Sequence, residues 1–416
     1  MTLPATAPAP AGAAVPVAPR PESGAPPSGR DRYLDLLRAL ALVRVVAYHQ
    51  FGWAWLTLLL PSMGVMFALA GSLMARSLER PALHVVRSRM RRLLVPMWLF
   101  GAVAVGGMVL QGWGPGSGGG TRWWLKMLFW VVPLSDPPYP SHLPGVDGIL
   151  DGGWAEQVAV PLWYLRAYLW FVLLSPLMLR LLRRAPWPVL LAPLGLAVVL
   201  GSGWIALPDR VGAAATDFAV FASCWLLGFA HHDGVLRRLP RYVTPSVAPF
   251  VLLAGLWFAV DHQDPESGYD LDGIPVAQAV WSFGFVLVLL HLSPSWTSWP
   301  RRLRRWSGVI GLLNARAVTV YLWHEAALIA TVPLIDQLWR FPVLERNVPW
   351  LLDSPWLNFL GAWPLIALCV VLFGWVEDVA ARRRPRLLPW PRRSAGPGTV
   401  RGHRGGRRRQ ASARAR

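Results

Sequence analysis

Cysteine is almost missing from this chain: Cys224 and Cys369 are its only two, each inside an apolar run, which excludes a disulfide framework or a cysteine-based zinc site. Charge is scarce as well. Only 15% of the residues are charged and 54% are hydrophobic, a balance that excludes an ordinary soluble domain and fits a polytopic membrane protein. Lysine occurs once, at Lys126, against 40 arginines, a skew that reads as compositional bias as readily as function. No repeat of fixed period is present. The glycine-rich stretch "GWGPGSGGG" (112–120) lacks the Gly-Lys-Ser/Thr ending of a phosphate loop and reads as a flexible loop. His231, His232 and Asp233 have no third ligand at a suitable spacing, so no metal is expected. Residues 1–30 are rich in Ala, Pro and Gly without a compact apolar segment, which predicts a disordered leader rather than a signal peptide.

What is present is a series of apolar runs. A hydrocarbon core about 30 Å thick takes roughly 20 helical residues. The runs predict an all-α integral membrane protein of about ten transmembrane helices, near 33–53, 55–75, 93–111, 159–179, 188–207, 215–230, 245–260, 274–291, 308–330 and 357–376. Trp123 to Leu134, interrupted by Lys126, is about half a span and reads as interfacial or re-entrant. The net charge of +19 would suit nucleic acid, but its location points to topology instead. With ten spans and both termini cytoplasmic, 32 basic residues fall inside and five outside. The loop "DHQDPESGYDLDG" (261–273), with five carboxylates and no Arg or Lys, falls outside. An eleventh span would invert every later loop. The predicted organisation is therefore a leader (1–30), a transmembrane domain (31–376) and a disordered arginine-rich cytoplasmic tail (377–416) suited to anionic headgroups.

The first apolar run, "LRALALVRVVAYHQ" (37–50), carries Arg38, Arg44 and His49. On a helix Arg38 and His49 lie about 1100° and about 16 Å apart and share a face, whereas Arg44 is about 120° from Arg38. A charge at the bilayer centre costs at least about 2.5–3.5 kcal/mol, so such residues normally face a protein interior or a wet cavity. Arg38 could instead snorkel to the interface beside Asp35, and His49 could be a packing histidine.

The spacing Arg38…His49 resembles the hallmark of the acyltransferase type 3 family, membrane proteins that move acyl groups onto extracytoplasmic glycans, lipids and small molecules. Further stretches resemble the family in order: "GVMFALAGSLMARSLE" (64–79), "RSRMRRLLVPMW" (87–98), "LWYLRAYLWFVLLSPL" (162–177) and "VYLWHEAAL" (320–328). The resemblance runs over roughly residues 31–376 and implies a stand-alone member without a fused esterase-like domain. Some members carry a glutamate just after the Trp-Tyr-Leu stretch; here Arg166 and Tyr168 stand in that neighbourhood.

The resemblance implies a plasma-membrane O-acyltransferase with no bound cofactor. Its donor substrate would be a cytoplasmic acyl-CoA, most simply acetyl-CoA, and its acceptor a hydroxyl on a glycan, lipid or small molecule beyond the membrane. Acyl transfer needs a base and donors for the oxyanion, and histidine's ordinary pKa near 6.5 suits the base. His49 is expected to be that base, and Arg38 to hold the donor or steady developing charge. Arg87, Arg89, Arg91 and Arg92 offer cations for the coenzyme's phosphates, or simply mark the inner side. Tyr321, His324 and Glu325 form a second polar group. Glu325 needs a partner, with Arg44, His49 and His324 as candidates, and a structural Glu–Arg pair is as good a reading as catalysis. Trp163, Tyr164 and Tyr168 read as an aromatic belt at the outer interface. From another class, the same in-span Arg, His and Glu would suit a secondary transporter.

Overall fold

The computed structural model describes residues 31–116, 120–143, 152–294 and 296–389. The leader and the tail from residue 390 lie outside them. Helix α1 (Arg32–Phe51) is followed by α2 (Trp55–Leu59), α3 (Ser62–Ser77) and the 29-residue α4 (Ala82–Leu110). Next come α5 (Gly120–Val131), α6 (Trp154–Ala159), α7 (Leu162–Arg184), α8 (Pro186–Gly201), α9 (Asp209–His232), α10 (Val243–Asp261) and α11 (Pro275–His291). The order ends with α12 (Ser307–Ala315), α13 (Ala317–Trp339), α14 (Pro342–Asn347), α15 (Pro349–Leu352), α16 (Pro355–Phe373) and α17 (Trp375–Ala380). Among the described residues there is no strand, only an isolated bridge between Asp264 and Gly268.

Among the described residues, seven segments are long and apolar enough to cross a membrane: Trp55–Ser77, Ala82–Leu110, Trp154–Arg184, Asp209–His232, Val243–Asp261, Ala317–Trp339 and Pro355–Phe373. Pro186–Gly201 and Pro275–His291 are apolar but shorter. Helix α1 has 20 residues but carries Arg32, Asp35, Arg38 and Arg44. The structure thus has a helix for each expected run, with altered boundaries. The 55–75 run is broken at Pro61, which precedes α3. Arg87 to Arg92 lie within α4 rather than in a loop before it. The 308–330 run is interrupted at Arg316, which separates α12 from α13. The expected tail begins in structure, because Trp375–Ala380 is helical.

Local chemistry explains the ends of α1. Asp31 caps it by accepting the Tyr33 amide at 2.9 Å, and Gly52, at φ 60°, closes it in the left-handed conformation that glycine adopts without penalty. Between apolar helices, association rests on close packing rather than water exclusion. α3 and α9 meet through Gly71 and Gly228, where an added Cβ would collide with the carbonyls of Trp225 and Ala68. Around this contact Phe67, Phe171, Phe221 and Trp225 form an aromatic core, with the Trp225 indole donating to Ser175 Oγ at 3.1 Å. Helix α13 packs against α1, α4, α6 and α16 and is the element through which both polar centres described below are built.

Candidate active site

Near the C-terminal end of α1, His49 meets Glu325 from α13. His49 Nδ1 stands 2.6 Å from Glu325 Oε1, an ion-pair contact between the two helices. A carboxylate against one ring nitrogen leaves the other, Nε2, as the nitrogen able to accept a proton when the imidazole is neutral. His324 lies beside the pair, its ring 5.0 Å from His49. His324 is fully buried; its Nδ1 donates to the Tyr321 carbonyl at 2.6 Å, and its Nε2 stands 3.6 Å from Glu325 Oε1. His49 and Glu325 line a cavity of about 350 Å³, with Gln157 and Val160 from the α6 side and Leu328, Ile329 and Val332 from α13.

Among Glu325's three candidate partners, the structure selects His49 and places His324 alongside. Arg44 is turned away, donating to the Leu56 carbonyl at 3.1 Å and standing 4.7 Å over the Tyr48 ring, so the structural Glu–Arg alternative fails. His49, His324 and Glu325 also offer one ligand atom each within 4.8 Å of one another. The absence of a metal cluster expected from spacing therefore missed a set assembled across two helices, although the 2.6 Å contact is of hydrogen-bond length and needs no ion.

Arg38 is in a different place. It donates to Asn314 Oδ1 at 3.4 Å and lines a second cavity of about 280 Å³, toward the opposite end of α1. Arg89 and Arg92 line it too, as do Tyr164, Tyr168 and Tyr321, with Glu377, Asp378 and Arg383 beyond the last long helix. The expected arginine cluster is thus divided. Arg91 is engaged by the Ala380 carbonyl at 2.8 Å, and Arg87 is exposed and takes no part in the lining. Arg89 also donates to the Leu73 carbonyl and Ser77 Oγ, at 3.1 and 2.9 Å, which fixes its side chain against α3.

The aromatic-belt expectation is corrected. Tyr164 is buried and, with Tyr168, belongs to the Arg38 cavity, while Trp163 stacks on Phe221. Tyr164 and Tyr321 are in ring contact at 4.8 Å. Arg166 is buried between Asp136 and Asp217, donating to Asp217 at 2.5 Å. It ties the segment after α5 and α9 to α7.

Several polar residues were missed. Tyr48, beside His49, donates to Asp270 Oδ2 at 2.8 Å, so the acidic segment 261–273 reaches back to α1. Burial raises the pKa of neighbouring Asp272, opposed by the Arg44 charge. The only advance signal was a tyrosine adjoining the histidine.

A helical bundle with membrane-crossing character, an imidazole–carboxylate pair over one cavity and an arginine-lined cavity at the other end of the same helices defines a membrane enzyme class. Residues 31–376 match the type 3 family model for the acyltransferase domain, and the chain belongs to that family. It is an acyltransferase, and the transporter reading is not favoured. No curated protein and no solved structure matches the sequence.

Proposed function

We propose that the protein is a plasma-membrane O-acyltransferase that carries an acyl group, most simply acetyl, from cytoplasmic acyl-CoA to a hydroxyl of a glycan, lipid or small molecule at the outer face. The observation that carries this reading is the 2.6 Å His49–Glu325 pair above one cavity, with Arg38 on the same helix in another. Ten crossings with both termini cytoplasmic put the Arg38 chamber inside and the His49 chamber outside, in line with the positive-inside count.

The donor's nucleotide end sits in the Arg38 chamber with its acyl thioester extended along α1 and α13 toward His49. His49 Nε2 removes the acceptor's hydroxyl proton as the oxygen attacks the thioester carbonyl. Glu325 keeps Nδ1–H oriented and balances the imidazolium that forms. Collapse of the tetrahedral intermediate breaks the C–S bond, and the proton passes from His49 to the departing thiolate, leaving ester and free coenzyme A. No resident cofactor or metal takes part.

The test uses inside-out vesicles given acetyl-CoA labelled in the acetyl group, with label read in lipid and glycan extracts. Wild type is expected to transfer label and His49→Ala to lose it while inserting normally. Undiminished labelling by well-inserted His49→Ala would end the assignment.

A further inference from the structure

The family match stops at residue 376, and the described chain continues to 389. That continuation is fastened to the bundle. Buried Arg316 donates to Asp378 Oδ2 at 2.7 Å and to the Arg386 carbonyl at 2.5 Å, while the Arg386 amide returns to Asp378 Oδ2 at 3.1 Å. Glu377 Oε1 accepts from the Thr319 amide and hydroxyl at 2.7 and 2.6 Å. Between these anchors the chain reverses at Arg382, whose φ of 55° lies in the left-handed region that non-glycine residues seldom enter. The Arg383 amide then donates to the Asp378 carbonyl at 2.8 Å, and Arg383 joins the lining of the Arg38 chamber.

The chamber's charge is lopsided. Four guanidinium groups line it, from Arg38, Arg89, Arg92 and Arg383, and its two carboxylates are already held by Thr319, Arg316 and the Arg386 amide. Such a surplus of cations around a cavity suits a polyphosphorylated ligand. We infer that the segment after the family domain completes the donor site, with Arg383 joining Arg89 and Arg92 to bind the phosphates of coenzyme A's nucleotide end. This rests on the proposed reaction for the ligand's identity.

The experiment is calorimetric binding of coenzyme A, dephospho-coenzyme A and pantetheine to the full-length protein in detergent. Arg383→Ala is expected to weaken coenzyme A about tenfold and to leave pantetheine unaffected, as loss of one charged hydrogen bond implies. Arg383→Lys should restore most of the affinity. Arg384→Ala, an equal loss of charge at an exposed neighbour outside the lining, should leave it unchanged. Equal weakening by Arg383→Ala and Arg384→Ala overturns the inference, as does equal weakening for pantetheine or no binding of coenzyme A by wild type. Acyl transfer is scored separately. Arg383-dependent binding without transfer supports the site and sinks the reaction, whereas transfer with Arg383-independent binding does the reverse.

Discussion

In the proposed reaction Glu325 governs the His49 chemistry, because a carboxylate against Nδ1 leaves Nε2 as the nitrogen that takes the proton. Glu325→Gln removes the negative charge and permits the opposite hydrogen-bond polarity. It should lower kcat by about two to four orders of magnitude. The donor KM should be nearly unchanged, since Glu325 does not line the Arg38 chamber; steady-state kinetics over a donor titration separates the two. Arg166 behaves differently: buried between two carboxylates, it organises α7 and α9 rather than touching either chamber. Arg166→Ala leaves those carboxylates, both partly accessible to solvent, without their cation and should lower stability. Thermal melting would then show a lowered midpoint, with turnover per folded molecule much less affected than in Glu325→Gln.

At the scale of elements, α3 and α9 depend on two glycines for their approach. Gly228→Leu places a branched side chain where the Ala68 carbonyl lies and should prevent normal assembly, seen as loss of the monodisperse peak after detergent extraction. Elements also show what could be read in advance. Apolarity alone set the first run at 33–53; the caps that set α1 at Arg32–Phe51, Asp31 and Gly52, are short-range signals that apolarity does not register. The interruption at Arg316 was not legible, because apolar residues continue on both sides and the arginine's partners, Asp378 and Arg386, lie some 60 to 70 positions away. The division of the arginines was partly legible: once Ala82–Leu110 is one helix, Arg89 and Arg92 share a face through their three-residue spacing, and Arg87 and Arg91 share another through their four-residue spacing. Tyr164 and Tyr168 have that same four-residue spacing, but only the packed bundle shows that their side faces a cavity rather than lipid. The His49–Glu325 pair required knowing that α1 and α13 are neighbours, which sequence order alone did not supply.

For the molecule as a whole, α17 makes the fold sensitive to pH. Burial lifts the Glu377 carboxyl from 4.5 to about 7, although the Thr319 donors favour its charged form. The unfolded chain therefore ionises first. Any stability tied to the protonated carboxyl is present below about pH 4.5 and declines as pH rises toward 7. Glu377→Gln, neutral throughout, should flatten this decline, measured as the thermal midpoint in detergent from about pH 5 to about pH 8. A full-length comparison is needed because Glu377 acts on α13 from beyond the family domain.

The two chambers share no lining residue, and Tyr164 and Tyr321 stand in ring contact at the head of one of them. If the proposed reaction works across a membrane that stores energy as a gradient, this separation serves as insulation: the thioester must pass without ions following. On that reading the Tyr164–Tyr321 contact is the expected barrier, and the donor's arm is expected to part it. Replacing both rings with alanine should make resting vesicles leak protons before any acyl group moves.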